Sequence, residues 1–111
     1  MFKALVYLDD ILNCVEKIER YTTGLTYEEF ISNDMVADAV IRNLEIIGEA
    51  VKNLPAEVKK EYSDIEWRKI AGLRDILIHE YFGINLLLVW DIIKNKLPSL
   101  KTSVQTIRNR L

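Results

Sequence analysis

Apolar residues recur every three or four positions along almost the whole chain, the periodicity of helices that bury one face. Over residues 2–22 the stripe Leu5, Leu8, Leu12, Val15, Ile18 and Thr22 predicts a first helix, ended by Thr23-Gly24. Thr26 followed three residues later by Glu29 reads as a capping box that opens a short second helix. Asn33 or Asp34 then caps a long third helix to about Asn53, with Val36, Val40, Leu44, Ile47, Val51 and Leu54 on its apolar side. Pro55 breaks the chain, and 56–62 form a short helical turn. Asp64 is placed to cap a helix over 65–82, stopped by Gly83. Asn85 caps the next, 86–96, with Leu86, Val89, Trp90 and Ile93 inward. Pro98 suits the first turn of a last helix carrying Leu100, Val104, Ile107 and Leu111.

No segment alternates with period two, so the expected fold is all-α: an antiparallel four-helix-type bundle with additional short helices. The whole of 1–111 is expected to form one domain. Half the residues are hydrophobic and only four glycines and two prolines interrupt them, which suits a packed bundle. Gly48, mid-helix, costs about 1 kcal/mol against alanine and suggests that another helix passes close by. Trp67 and Trp90 read as core or interface anchors.

Charge narrows the function. Seventeen acids against fifteen bases leave a net charge of −2, so a nucleic-acid site would need positive charge gathered locally. From Lys94 onward the chain carries Lys94, Lys96, Lys101, Arg108 and Arg110 with no acid. That run is either a solvated basic face or a patch for RNA phosphates or an acidic partner. No apolar run approaches the ~20 residues that cross a bilayer, and no leader pattern opens the chain, so no membrane association is expected. Cys14, alone and on the apolar side of the first helix, reads as a core thiol. A single cysteine fits a reducing, cytoplasmic setting.

Chemistry concentrates in Leu73-Arg74-Asp75-Ile76-Leu77-Ile78-His79-Glu80-Tyr81-Phe82, which holds the only histidine. Asp75 and His79, four apart, share a helix face, so the carboxylate can orient the imidazole. Arg74 and His79 are five apart, roughly 140° around a straight helix at about 100° per residue. They meet at one substrate through the arginine's reach, a frayed helix end or a second copy of the chain. A plainer reading is that Arg74 and His79 simply complement the carbonyl end of a helix. Metal-ligand spacing, a phosphate-binding loop and a nucleophile elbow are all missing from the sequence, so no metal and no cofactor is expected. An imidazole beside a guanidinium and a phenol fits metal-free RNA cleavage, in which the substrate's 2′-hydroxyl is the nucleophile. His79 would be the acid or base and Arg74 the stabiliser of phosphate charge. One histidine cannot be acid and base in the same step. A twofold dimer would bring two copies of Arg74 and His79 into one cleft.

Arg74-x4-His79-x-Tyr81 resembles the R-x4–6-H-x-Y signature of HepT-like toxins, small all-helical ribonucleases of the HEPN superfamily. Val40-Ile41-Arg42-Asn43-Leu44-Glu45-Ile46-Ile47-Gly48-Glu49-Ala50 resembles the same family's R-x-L-x-I-I-G-E-A run, and Leu97-Pro98-x-Leu100 its closing turn. The resemblance implies a type II toxin that cleaves RNA as a homodimer with the motif at the interface. It also implies a partner, an MntA-like minimal nucleotidyltransferase antitoxin, which transfers AMP onto the motif tyrosine, here Tyr81. An adenylate beside Arg74 would occupy the guanidinium and block RNA. One position departs: the residue after the arginine, asparagine in many members, is Asp75, a fixed anion that opposes RNA binding. The alternative is a non-catalytic, nucleotide- or substrate-binding partner subunit of a minimal nucleotidyltransferase. Arg42, Glu45 and Glu49 fall on one line of the third helix, as an intrahelical ion-pair row or, for Arg42 and Glu49, as residues supporting the catalytic cleft.

Overall fold

The computed structural model describes residues 2–78 and 85–111, and the side chains of all of these except Phe2, Arg74, Ile76 and Ile78. Among the described residues every regular element is helical, as the periodicity requires: α1 (Phe2–Thr22), α2 (Tyr27–Ile31), α3 (Asp34–Asn53), α4 (Ala56–Glu61), α5 (Trp67–Ile78), α6 (Leu86–Asp91), a π-helical turn (Ile92–Lys96) and α7 (Leu97–Arg110). The fold is an all-α bundle.

The local signals act where they stand. Gly24, at φ 79°, takes the left-handed conformation that ends α1. The capping box of α2 closes both ways, with the Glu29 amide donating to Thr26 Oγ1 at 3.1 Å and the Thr26 amide donating to Glu29 Oε1 at 2.9 Å. Asn33, not Asp34, caps α3, its Oδ1 accepting from the Val36 amide at 3.1 Å. Asn85 caps α6 in the same way through the Leu88 amide, at 3.2 Å.

Three expectations are revised. The core stripe of α1 is Ala4, Leu8, Ile11, Val15, Ile18 and Thr22, with Leu5 and Leu12 only half-buried at its edge. The helix packs against both α3 and α7, and the wedge between two neighbours, not the longest apolar row, selects the buried face. The motif helix starts at Trp67 instead of residue 65, so Asp64 is too far upstream to cap it. Its entry is held instead by Trp67, buried, whose Nε1 donates to the Tyr62 carbonyl at 3.0 Å. Residues 79–82 of the expected helix, and Gly83, lie outside the described residues. Third, the helix expected over 86–96 divides into α6 and the π-helical turn, which runs directly into α7, and Pro98 lies in the first turn of α7 as expected. Pro98 has no N–H and crowds the carbonyl four residues back. The chain widens just before it into a π turn, where the Leu97 amide reaches the Ile92 carbonyl.

Paired charges give the helix directions. Asp9 meets Arg108 and Glu19 meets Lys101, so α1 and α7 run antiparallel. Tyr7 and Asp10 face the C-terminal half of α3, which makes that pair antiparallel too. Residues between 66 and 73 line one depression together with Leu88, Asp91, Ile92 and Lys96 of the α6–π segment. Trp90 locks α2 onto this frame, its ring 5.2 Å from Phe30 and 6.1 Å from Tyr27. Both tryptophans are thus anchors of the fold.

Candidate active site

The motif helix α5 turns Trp67 and Leu77 inward and packs against α3. Arg74 is placed on this helix by its backbone. Asp75, one step around the helix, is exposed. The sequence-predicted constellation is therefore described only in part: Arg74 and Asp75 are on α5, while His79 and Tyr81 lie outside the described residues.

Arg42 and Glu49 open into one cleft of about 270 Å³ between α1 and α3, with Tyr7, Asp10, Glu45, Ile46, Ala50 and Asn53. Arg42 Nη1 lies 3.7 Å from Glu45 Oε2, the expected i,i+3 pair. Asn53 Nδ2 donates to the Glu49 carbonyl at 3.0 Å and to its Oε1 at 3.3 Å. The Arg42–Glu45 pair thus lies in the wall of this cleft, which the outer edge of α3 forms. Tyr7 and Asp10 escaped the sequence reading. Their one signal is an i,i+3 spacing beside the core stripe of α1. Among the described residues that line this cleft, none belongs to α5.

A second, larger depression of about 420 Å³ runs between α5 and the α6–π segment. Its walls are apolar, formed by Ile70, Leu73, Leu88 and Ile92 around Gly72, and its rims carry Glu66, Lys69, Asp91 and Lys96. Glu66 Oε2 accepts from Lys69 Nζ at 2.6 Å, which holds the carboxyl below and the ammonium above their ordinary values. Among the described residues, no three His, Cys, Asp or Glu side chains converge as a metal-binding group.

The basic C-terminal run is divided: Lys94, Lys96 and Arg110 are exposed, whereas Lys101 and Arg108 are half-buried and pair with acids of α1. Lys101 Nζ donates to Glu19 Oε1 at 2.9 Å, which raises the lysine's pKa. Arg108 Nε donates to Asp9 Oδ1 at 2.9 Å. Lys94 lies over the Trp90 ring at 4.6 Å, and Arg110 over Tyr62 at 5.9 Å. Two acids of α1, remote in sequence, thus pair with two of the five cations. Cys14 is buried as expected, and burial pushes its thiol up.

The family model described as "Ribonuclease HepT-like" matches residues 11–107, which takes in both the 40–50 and the 73–82 segments. The chain belongs to the HepT-like ribonuclease family. Among its HepT-like relatives is a gamma-glutamylcyclotransferase and candidate RNase of Methanocaldococcus jannaschii, 45% identical over 96% of this chain and 48% of that longer protein. The chain thus spans about half the length of this relative. A candidate RNase of Caldanaerobacter subterraneus subsp. tengcongensis is 44% identical, over 91% of this chain and 90% of its own. A protein of Thermococcus cleftensis named a probable ribonuclease HepT is 43% identical, over 92% and 93% respectively. No solved structure matches the chain significantly. No described helix of this HepT-like chain is long and apolar enough to cross a membrane.

Proposed function

We propose that this chain is a metal-independent RNA endonuclease and the toxin of a type II toxin–antitoxin pair, acting in the cytoplasm. Membership of the HepT-like ribonuclease family, with Arg74-x4-His79-x-Tyr81 in the matched region, carries the reading. His79 takes the proton of the 2′-hydroxyl, whose oxygen attacks the adjacent phosphorus. Arg74 neutralises the added charge on the phosphoryl oxygens, and the 5′-oxygen leaves as a hydroxyl after protonation. The products are a 2′,3′-cyclic phosphate and a 5′-hydroxyl end. The second proton transfer calls for a second imidazole, supplied by His79 of a partner copy in a homodimer. Asp75 orients His79, and Arg42 and Glu49 support the cleft from α3. An MntA-like nucleotidyltransferase antitoxin neutralises the toxin by moving AMP from ATP to the Tyr81 oxygen, with release of pyrophosphate. The added phosphodiester then occupies Arg74.

A second reading has one observation behind it. Asp75 is exposed on α5, and Lys101 and Arg108 of the C-terminal basic run are paired with Glu19 and Asp9 of α1. Both features oppose a polyanion and suit a non-catalytic partner subunit of a nucleotidyltransferase. Purified protein, shown by mass to carry no adenylate on Tyr81, is incubated with total cellular RNA in EDTA beside His79→Ala. Cyclic-phosphate ends that vanish in the variant support the nuclease. Intact RNA with both proteins moves the assignment to the partner subunit.

A further inference from the structure

The cleft between α1 and α3 sets a carboxylate on one wall and a guanidinium on the other. Asp10 lines it from α1 and is exposed, and Arg42 lines it from α3. Arg42 Nη1 stands 3.7 Å from Glu45, too long for a hydrogen bond, and its side chain is 71% exposed, so its N–H fork is accessible. The raised pKa of the Cys14 thiol comes from burial first and then from Lys17, Asp10 and Arg42, so one sulfur feels both walls at once. The same cleft has an apolar lining. Tyr7 and Ile46 are half-buried and packed against the core, and Ala50 is buried.

An arginine by itself suits a phosphate. Asp10 on the other wall changes the choice, because a carboxylate repels phosphate oxygens and, when ionised, can only accept hydrogen bonds. The two walls together call for a flat group with acceptors along one edge and donors along another. Guanine is such a group. Its O6 and N7 accept on one edge, where an arginine fork bonds both. Its N1–H and 2-amino group donate on the next, where the two oxygens of one carboxylate can take both. Adenine reverses these features, with an amino group in place of O6 and an acceptor at N1. Unpaired bases in RNA are read in this manner, by their edges and with the ring laid against an aromatic side chain. Tyr7 supplies the aromatic, one helical turn from Asp10, and about 270 Å³ is room for a single base.

We propose that the α1–α3 cleft is a subsite for an unpaired guanine, with Arg42 donating to O6 and N7, Asp10 accepting from N1–H and the 2-amino group, and Tyr7 lying against the ring. This rests on the RNA substrate of the proposed function and gives that substrate a sequence preference. Arg42 touches the base in this assignment, in place of a merely supporting role.

Fluorescence anisotropy with short deoxycytidine strands carrying one central guanine, hypoxanthine, 7-deazaguanine or adenine tests it. A strand without 2′-hydroxyls gives binding apart from cutting. Hypoxanthine lacks the 2-amino donor and 7-deazaguanine lacks the N7 acceptor. The guanine strand should bind about tenfold or more tighter than the adenine strand, with the other two between them. Asp10→Asn should bind guanine and hypoxanthine strands equally, and Arg42→Gln should bind guanine and 7-deazaguanine strands equally. Both positions are on the surface, so helical circular dichroism should be unchanged. Equal wild-type binding of guanine and adenine strands would overturn the subsite. So would binding of none of the strands, or a guanine preference that survives in both folded variants. RNA cleavage is scored separately. Guanine selection by a protein that leaves RNA intact keeps the subsite and sinks the nuclease. Cleavage by a protein that binds guanine and adenine strands alike does the reverse.

Discussion

Arg108, near the end of the chain, donates its Nε–H to Asp9, near the start, at 2.9 Å, with both side chains a little under half exposed. With the Lys101–Glu19 pair about two to three turns away, it ties α7 to α1 and withdraws two of the five C-terminal cations from solution. Partly exposed pairs of this kind contribute about 0.2–1 kcal/mol each. Asp9→Asn combined with Glu19→Gln should therefore cost little stability but release both cations. Fluorescence anisotropy with a non-specific RNA oligonucleotide should show tighter binding and a steeper salt dependence in the double variant. Unchanged binding would mean that these cations do not face a polyanion even when unpaired.

The α2 cap makes an acid-sensitive contribution. Glu29 is held below its ordinary value chiefly by the Thr26 backbone N–H and then by the Thr26 side chain. A depressed carboxylate stabilises the fold at and above the ordinary glutamate pKa, and that contribution disappears as the pH falls through the lowered value. Thr26→Ala should cost about 1 kcal/mol at neutral pH. Thr26→Ala keeps the backbone N–H that the carboxylate accepts from, so that cost should persist into acid. In urea titrations Glu29→Gln should instead converge with wild type as the pH falls through the lowered Glu29 value.

Gly72→Ala gives the fold a better helix former where a methyl group has room. Stability of the dilute protein should rise by up to about 1 kcal/mol. Thermal melts at concentrations low enough to suppress association would show it. A lower melting temperature would mean that the position is needed inside the fold after all.

Cys14 should be silent to thiol reagents until the chain unfolds, because it is buried and its thiol is raised by desolvation first of all. The sign follows from the proton. The folded chain keeps it where the unfolded chain has lost it, so stability falls as the pH climbs from the ordinary thiol value toward the raised one. Cys14→Ala should remove this alkaline slope. Labelling as a function of denaturant should track the unfolding curve.

Much of the fold is legible in the residues because its determinants are local. Thr26 with Glu29, Asn33, Gly24 and Asn85 satisfy or turn the backbone within a few positions of themselves, so their effect needs no knowledge of what lies elsewhere. The broad stripe of α3 was legible for another reason: a helix packed on several sides buries its apolar residues whichever way it is rotated. The α1 stripe was less so. Leu5 and Ile11 are equally apolar, and only the positions of α3 and α7 choose between them.

The family signature around Arg74, Asp75, His79 and Tyr81 belongs to the sequence alone, as does the all-helical class, since side-chain types and their spacing are read without coordinates. Tertiary structure decided what distance along the chain conceals. It joined Tyr7 and Asp10 to Arg42 and Glu49 in one cleft, and it set the acids of α1 against the bases of α7. It also joined α6 to α7 through a π turn and set Gly72 in the lining of an apolar groove. Each of these depends on which residues come together across tens of positions, where packing of whole helices, and no local preference, sets the energy.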